Sequence, residues 1–410
     1  MTSRARRYAV AFAALTLSVT TACTEPADSD PDGRVRVVVS APLTRSPWIG
    51  GFLENGARLA VEQINAGGGI EVGDERRNVE LVVRDHAGSA QTAQSHARDA
   101  VRDGAAMLIS DGVGALAVAQ VTGPANLPTV ITFEGGTSLV DEDTRPTLFR
   151  LAPANRAMTL RLADYLADRA TKVAVLHDDT AYGKDGGREL GAAFARNGTS
   201  VVSTVELPAG ATDVRPQVLA ARRAGADTVA VWASAPVVTS VVRAARSTGW
   251  SVPLFTGPTG EDPLVRQQLA DRPEWVDGLT FVSFRITAEV GPEPWEAFRT
   301  AYEKRFGRDE IGITADGRPV VQPPDWAMFP YDAVHLLKAA LERSDAIGRP
   351  LVDALNTVFI TGANGDERSF GPQNHEGVSQ DDMYFGRFEQ MRFQPVTDDI
   401  LSTNLPPVPQ

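Results

Sequence analysis

The sequence predicts an α/β fold of two doubly wound lobes, each a parallel sheet covered by helices on both faces. Three observations carry this prediction. Short, continuous apolar runs alternate with helical segments, the pattern of strands buried on both sides. The rhythm pauses around residues 148–153 and restarts with a second series of similar size. Beyond residue 284 it gives way to two strong helices and a strand-rich end.

The elements follow in order. Residues 35–40 form a β-branched run. Residues 50–65 place Phe52, Ala57, Leu59, Ala60 and Ile64 at helical spacing and stop at Gly67-Gly68-Gly69. A strand at 79–83, a helix at 89–103, a strand at 105–109, a helix at 115–122 and a strand at 129–133 complete the first series. The second series has helices at 157–167, 182–196, 213–223 and 237–248. Its strands lie at 172–176, 200–205, 227–232, 253–255 and 279–284. Helices at 295–306 and 326–343 come next. Residues 382–395 mix strand formers with polar alternation, which predicts antiparallel strands.

The 410 residues suffice for two domains of ordinary size, and 43% hydrophobic with 22% charged residues is normal for a soluble globular protein. A formal net charge of −12 with no basic stripe argues against nucleic acid and anionic membrane surfaces as partners. The single cysteine, Cys23, excludes an intrachain disulfide and a cysteine-based metal cluster. Arg4, Arg6 and Arg7 precede an apolar stretch at 8–19, too short for a comfortable membrane span, and Thr20-Thr21-Ala22-Cys23 follows. This resembles a bacterial lipoprotein signal over 1–22, cut before Cys23, whose thiol then carries a diacylglyceryl group. Thr20 stands where Leu, Val or Ile is usual; an ordinary secretory signal with an incidental cysteine is the alternative. Two or three acyl chains would anchor the protein stably, since each buried CH₂ contributes ~0.8 kcal/mol. Residues 23–33, acidic and Pro-containing, form a flexible tether. No later run approaches a membrane span, so the remainder is expected to be soluble and extracytoplasmic.

The turn Gly112-Val113-Gly114-Ala115-Leu116-Ala117 fits G-x-G-x-x-A, with Glu134 about twenty residues on where a ribose-binding acid would stand. A dinucleotide site is therefore one reading. Against it, the turn follows the third strand instead of the first, and an exported protein has no obvious NAD supply. Backbone N–H groups at a helix N-terminus bind other anions too, carboxylates included. No G-x-S-x-G elbow, H-E-x-x-H or comparable metal spacing occurs, so neither enzyme chemistry nor a metal or other cofactor is expected. His177-Asp178-Asp179 reads first as a strand-end turn. Trp48, just after the first strand, and Trp326, at the predicted start of a late helix, are either pocket walls or core.

The segments "APLTRSPWIGGFLENGARLAVEQINAGGGI", "VELVVRDHAGSAQTAQSHARDAV", "KVAVLHDDTAYGKDGGRELGAAF", "GADTVAVWASAPVVTSVVRAARSTGW", "PLFTGPTG" and "FPYDAVHLLKAAL" resemble the extracytoplasmic solute-binding proteins of the leucine/isoleucine/valine type, which serve ATP-driven importers. The N-G-A-R-x-A-x-x-x-I-N-A-x-G-G-I stretch and the D-D-x-A-Y-G turn are the most specific. The resemblance implies a type I periplasmic-binding-protein fold with three hinge crossovers and a ligand cleft between lobes. The first lobe would cover 34–151 and 284–360, the second 152–283 and 361–400, with a loose tail at 401–410. It further implies that Trp48 is a cleft-wall aromatic. Gly112, Val113 and Gly114 stand at the carboxylate-binding turn, by backbone N–H alone, since the family's serines are absent. Glu134, Gly135 and Gly136 stand where the family has small residues and a carboxylate-binding threonine, a role open to Thr137. Tyr182 matches the second-lobe tyrosine, Ser234 stands near a common aromatic position, and Trp326 matches an aromatic of the late helix.

The most consequential departure is Thr259, where amino-acid binders carry an acid for the ligand ammonium. A threonine hydroxyl does not offset a charge in a closed cleft. Either Glu134, Glu261 or Asp111 supplies the carboxylate from another direction, or the ligand is an amide, a carboxylate or an aromatic acid. The second is preferred. The expectation is thus a monomeric, lipid-tethered receptor that closes on a small polar ligand and delivers it to ABC permease subunits. The alternatives are a ligand-sensing ectodomain of a signalling system, an NAD-binding enzyme, and a purely adhesive lipoprotein.

Overall fold

The computed structural model describes residues 33–284 and 293–396. The signal at 1–22, Cys23, nearly all of the tether and the tail at 401–410 lie outside the described residues.

Two mostly parallel sheets form the frame. The first runs, edge to edge, Val79–Asp85, Val35–Ala41, Met107–Ser110, Thr129–Ile131, Leu148–Arg150, all parallel. The second runs Ser200–Leu207, Lys172–Asp178, Thr228–Trp232, Leu254–Thr256, Thr280–Phe284 in parallel, then Met383–Glu389 and Arg392–Pro395 antiparallel. The antiparallel end is as the sequence predicts.

Strand alternation divides each core. Val37 and Val39 face the helices Pro47–Ala66 and Met328–Ser344, while Val38 faces Ala93 and Ala97 of the helix Ala90–Arg102. In the second sheet Val173 and Val175 pack with Leu190 and Phe194 of the helix Ala181–Asn197. Ala174 and Leu176 face Val218 and the helix Ala235–Ser247. This double burial is why the strands read as unbroken apolar runs.

The conspicuous motifs have local causes. Gly56 of N-G-A-R lets the first helix approach the late one, since a Cβ there would lie 2.1 Å from Ala327 O. Asn65 bonds both ways to the edge of the Val79 strand, donating to its carbonyl at 2.9 Å and accepting from its N–H at 2.7 Å. Gly183 of D-D-x-A-Y-G sits where a Cβ would strike Asp178.

Some expectations change. Trp326 lies in the turn before the helix Met328–Ser344 and does not open it. The hairpin Asp309–Ala315/Arg318–Gln322, within the stretch expected to belong to the first lobe, buries Ile311 and Val320 with Val231, Leu254 and Phe281 of the second sheet. The hairpin Phe359–Thr361/Glu367–Ser369 and the segment after it, expected largely in the second lobe, pack on the helix Met328–Ser344 and on Phe149 of the first sheet. Which lobe a hairpin docks on depends on distant partners that residue spacing does not encode.

Candidate interlobe binding site

Both sheets turn the C-terminal ends of their parallel strands towards one set of loops, the position where open α/β sheets bind ligands. From the first sheet come the turn 111–114 and the loop 132–137. From the second come Tyr182, in the first turn of its helix, Ser234, at the N-cap of Ala235–Ser247, and Thr259, in the short 3₁₀ turn Pro258–Gly260.

The first-sheet turn corrects an expectation. Gly112 N donates to Ser110 Oγ at 3.1 Å, and Val113 N donates to Asp111 Oδ1 at 2.9 Å. These amides are not open to a ligand. The cause is local: a short acidic side chain at a strand end folds back onto the amide two residues on. Asp111, 4% exposed, also lies 3.2 Å from His86 Nε2, and its carbonyl accepts from Glu134 N at 2.7 Å. Gly112 has φ +113°, and a Cβ there would lie 2.2 Å from Glu134 Cβ. The glycine is therefore required by the Glu134 side chain crossing over it. That chain places a carboxyl group beside the turn, which disfavours a polyphosphate there. Gly114, at φ +71°, caps the helix Ala115–Thr122 closely against Ala90.

Glu134 itself is half-buried, and its carboxylate has no hydrogen bond or ion pair among the described residues. Burial raises its pKa, the charges of Asp111 and Asp185 add to this, and Arg150 opposes it. Arg150 is fully buried and already engaged. Its fork meets Glu376, with Nε to Oε2 at 2.7 Å, and its Nη1 donates to Gly136 O at 2.8 Å and Glu134 O at 3.3 Å. Gly135 O accepts from Asn155 N at 2.6 Å, so the loop is pinned from beneath.

Thr137 faces a protein partner. Its N and Oγ1 donate to Asp185 Oδ2 at 3.0 and 3.1 Å, and Asn155 Nδ2 reaches the same oxygen at 2.9 Å. Burial works against the Asp185 charge, but these hydrogen bonds outweigh it and hold the carboxyl below its ordinary pKa.

Across the gap, Tyr182 Oη is buried without a hydrogen-bond partner. Burial above all, then the charges of Glu134 and Asp178, pushes its pKa far up, against a lowering influence from the nearby Thr259 hydroxyl. That hydroxyl donates to Ala233 O at 2.7 Å. Gly257 leaves room for the phenol, since a Cβ there would lie 2.5 Å from Tyr182 Oη. Ser234 N donates to Asp178 Oδ2 at 2.7 Å, and its own hydroxyl does not cap the helix.

Two candidates prove to be interior. Trp326 is 3% exposed and sits among Phe133, Phe284, Phe329 and Phe52 with ring centroids 5.0, 5.3, 5.5 and 6.0 Å away. Its Nε1 donates to Glu261 Oε1 at 2.6 Å. Glu261 is fully buried beside the equally buried Asp325, and burial together with their mutual proximity raises the Glu261 pKa well above the ordinary range. Trp48 is half-buried and packs edge-on against Phe52 at 5.5 Å.

Sequence reasoning missed Phe133, Asp185, Asn155, Asp325 and the Arg150–Glu376 pair. Two signals were available. Asp185 lies three residues after Tyr182 on one helix face, and Phe133 directly precedes Glu134 at a strand end. Arg150 and Glu376 are 226 residues apart, and nothing local links them.

A family model described as periplasmic binding protein matches residues 47–392. The curated Leu/Ile/Val-binding protein homolog 3 of Brucella melitensis is 31% identical over 201 residues, which are 48% of this chain and 53% of that protein. The chain thus spans about half the length of that curated relative. A periplasmic binding protein type 1 from Bordetella pertussis superposes with a TM-score of 0.76 at 20% identity, over 88% of this chain and 100% of that one. LivJ of Streptococcus pneumoniae, a branched-chain amino acid transporter substrate-binding protein solved with isoleucine, gives 0.73 at 21% identity, over 88% and 98%. An ABC-transporter solute-binding protein of Rhodopseudomonas palustris, solved with 3,4-dihydroxybenzoic acid, gives 0.71 at 18%, over 88% and 96%. These structures share the type I fold with this chain. Among the described residues no helix is long and apolar enough to cross a membrane, and no group of three His, Cys, Asp or Glu side chains is placed to hold a metal.

Proposed function

Because the chain belongs to the periplasmic binding protein family, we propose that it is the extracytoplasmic solute receptor of an ABC importer. It closes two lobes on one small polar molecule, presents it to permease subunits, and carries out no chemistry on it. In this reading Cys23 bears the lipid that holds a monomer at the outer face of the cell membrane. The observation that carries the reading is the convergence of loops from both sheets on one gap. There an unpartnered Glu134 from the first sheet stands opposite an unpartnered Tyr182 from the second. A ligand that bonds to both is better held when the lobes are together. To move a 1:99 closed population to 99:1 it must prefer the closed form by ~5.5 kcal/mol.

The proposed contacts are Glu134 on the first lobe and Tyr182, Ser234 and Thr259 on the second, with Trp48 at the rim. Thermal-shift screening over amines, amino acids, amides and carboxylates identifies the solute. Small-angle scattering then shows a smaller radius of gyration on its addition. Tyr182→Ala weakens the verified solute at least tenfold. An unchanged radius with a bound solute would refute hinge closure, and unchanged affinity in Tyr182→Ala would refute the site.

A further inference from the structure

We propose that the cleft selects a small organic cation, an amine carrying no carboxylate, with Glu134 as its counter-ion. This rests on the solute-receptor reading above and adds the polarity of the ligand to it.

Asp178, on the second lobe, is engaged by Ser234 N and Thr180, and three further carboxylates lie together: Asp111, Glu134 and Asp185. Asp111 is engaged by Val113 N and His86. Asp185 is engaged by Thr137, Asn155 and Arg188. Glu134 alone of the three has no partner among the described residues. The nearby cation, Arg150, points its fork at Glu376 and its remaining hydrogen bonds at loop carbonyls, so it does not reach the Glu134 carboxylate. A half-buried carboxylate held without a partner either takes up a proton, as its raised pKa favours, or pairs with a cation that arrives.

The same atoms turn an anion away. The Gly112 and Val113 amides are occupied by Ser110 and Asp111, and the Glu134 side chain lies over Gly112. A ligand carboxylate at this turn would meet the acidic groups of Asp111 and Glu134 and neither of those two donors. On the second lobe the Thr259 hydroxyl gives its proton to Ala233 O, which leaves acceptor lone pairs for the gap. Tyr182 Oη, buried and unpartnered, also has acceptor capacity and keeps one O–H to donate. Acceptors on both lobes suit a guest with several N–H donors and no anionic end. Such a guest does not need the acid that Thr259 replaces.

Matched trios sharing one carbon skeleton test this: 3-methylbutylamine, leucine and 4-methylpentanoate, then 2-phenylethylamine, phenylalanine and 3-phenylpropanoate, with putrescine added as a diamine. Thermal shift and calorimetry are run on the purified full chain. At least one amine is expected to raise Tm and to bind tenfold or more tighter than its amino acid, with its acid silent. Glu134→Gln is expected to remove the amine response while leaving the unliganded Tm unchanged or higher. A trio in which the acid or amino acid binds better than the amine overturns the inference, yet leaves the receptor reading standing if scattering shows closure. Silence of every amine overturns it as well. Undiminished amine binding by Glu134→Gln removes Glu134 from the role.

Discussion

Thr137 and Asp185 tie the two lobes together: the backbone N and the Oγ1 of the threonine donate to the same carboxylate oxygen, at 3.0 and 3.1 Å. The threonine sits in the loop following a first-sheet strand, and the aspartate sits on the helix after a second-sheet strand. Charge-assisted bonds of this kind are stronger than neutral ones. Asp185→Asn is therefore expected to weaken the verified solute by roughly ten- to a hundredfold, in line with ~1.5–3 kcal/mol for a hydrogen bond to a charged group. The unliganded radius of gyration should rise, because the open form gains population. Calorimetry and scattering check both, and an unchanged radius would show that the tie does not hold the lobes.

Gly112 keeps Glu134 in place. With φ +113° and Glu134 Cβ 2.2 Å from where a Cβ would stand, Gly112→Ala must displace the glutamate and strain the turn. Strain at such a position is of order 1–3 kcal/mol. The variant is expected to fold with a lowered urea midpoint and to lose solute binding. A variant that binds normally would show that the glutamate is not a ligand.

Gly186 keeps Trp232 in place. A Cβ at Gly186 would lie 1.9 Å from Trp232 Cδ1, and this tryptophan is fully buried. Overpacking a filled core costs about 1–3 kcal/mol. Gly186→Ala is expected to lower Tm by several degrees, whereas Gly191→Ala on the same helix, with open space around it, leaves Tm unchanged or raised. Equal effects of the two changes would refute the packing argument.

Glu261 and Asp325 form the clearest pH-sensitive pair. Burial raises both carboxyls, Asp325 to about 7. An acid whose folded pKa is raised holds more protons folded than unfolded, so its stabilising share is complete below the ordinary carboxyl range. It is lost as pH climbs towards 7. Urea midpoints should therefore fall from about pH 5 to about pH 7 through this pair, against the trend of ordinary paired carboxylates. Asp325→Asn is expected to flatten that slope. If the wild-type and variant profiles stay parallel, the pair carries no shared proton.

Glu376 anchors the loop that carries Glu134. Its partner Arg150 is fully buried, so Glu376→Gln leaves a buried guanidinium without its paired carboxylate. Breaking such a pair costs up to ~3–5 kcal/mol when both partners are buried; Glu376 is about a quarter exposed, so about 1–3 kcal/mol is expected. Hydrogen exchange at residues 134–137 should speed up more than elsewhere. Uniform protection would detach Arg150 from the loop.

The sequence alone determined the frame. Apolar runs flanked by helices with one apolar face leave few options other than covered parallel sheets, and both series were legible for that reason. Trp48 and Glu134 were legible as candidates because each follows a strand that could be located, whereas Tyr182, Ser234 and Thr259 were candidates only through the family resemblance. The tertiary structure decided which of the candidates remain available. Val113 N is taken by an aspartate two residues away, Thr137 by a helix from the other sheet, and Trp326 by an aromatic cluster drawn from three other segments and its own following helix. Hydrophobic periodicity is a property of neighbours along the chain. Whether a polar atom is free or engaged depends on groups that only folding brings within about 3 Å.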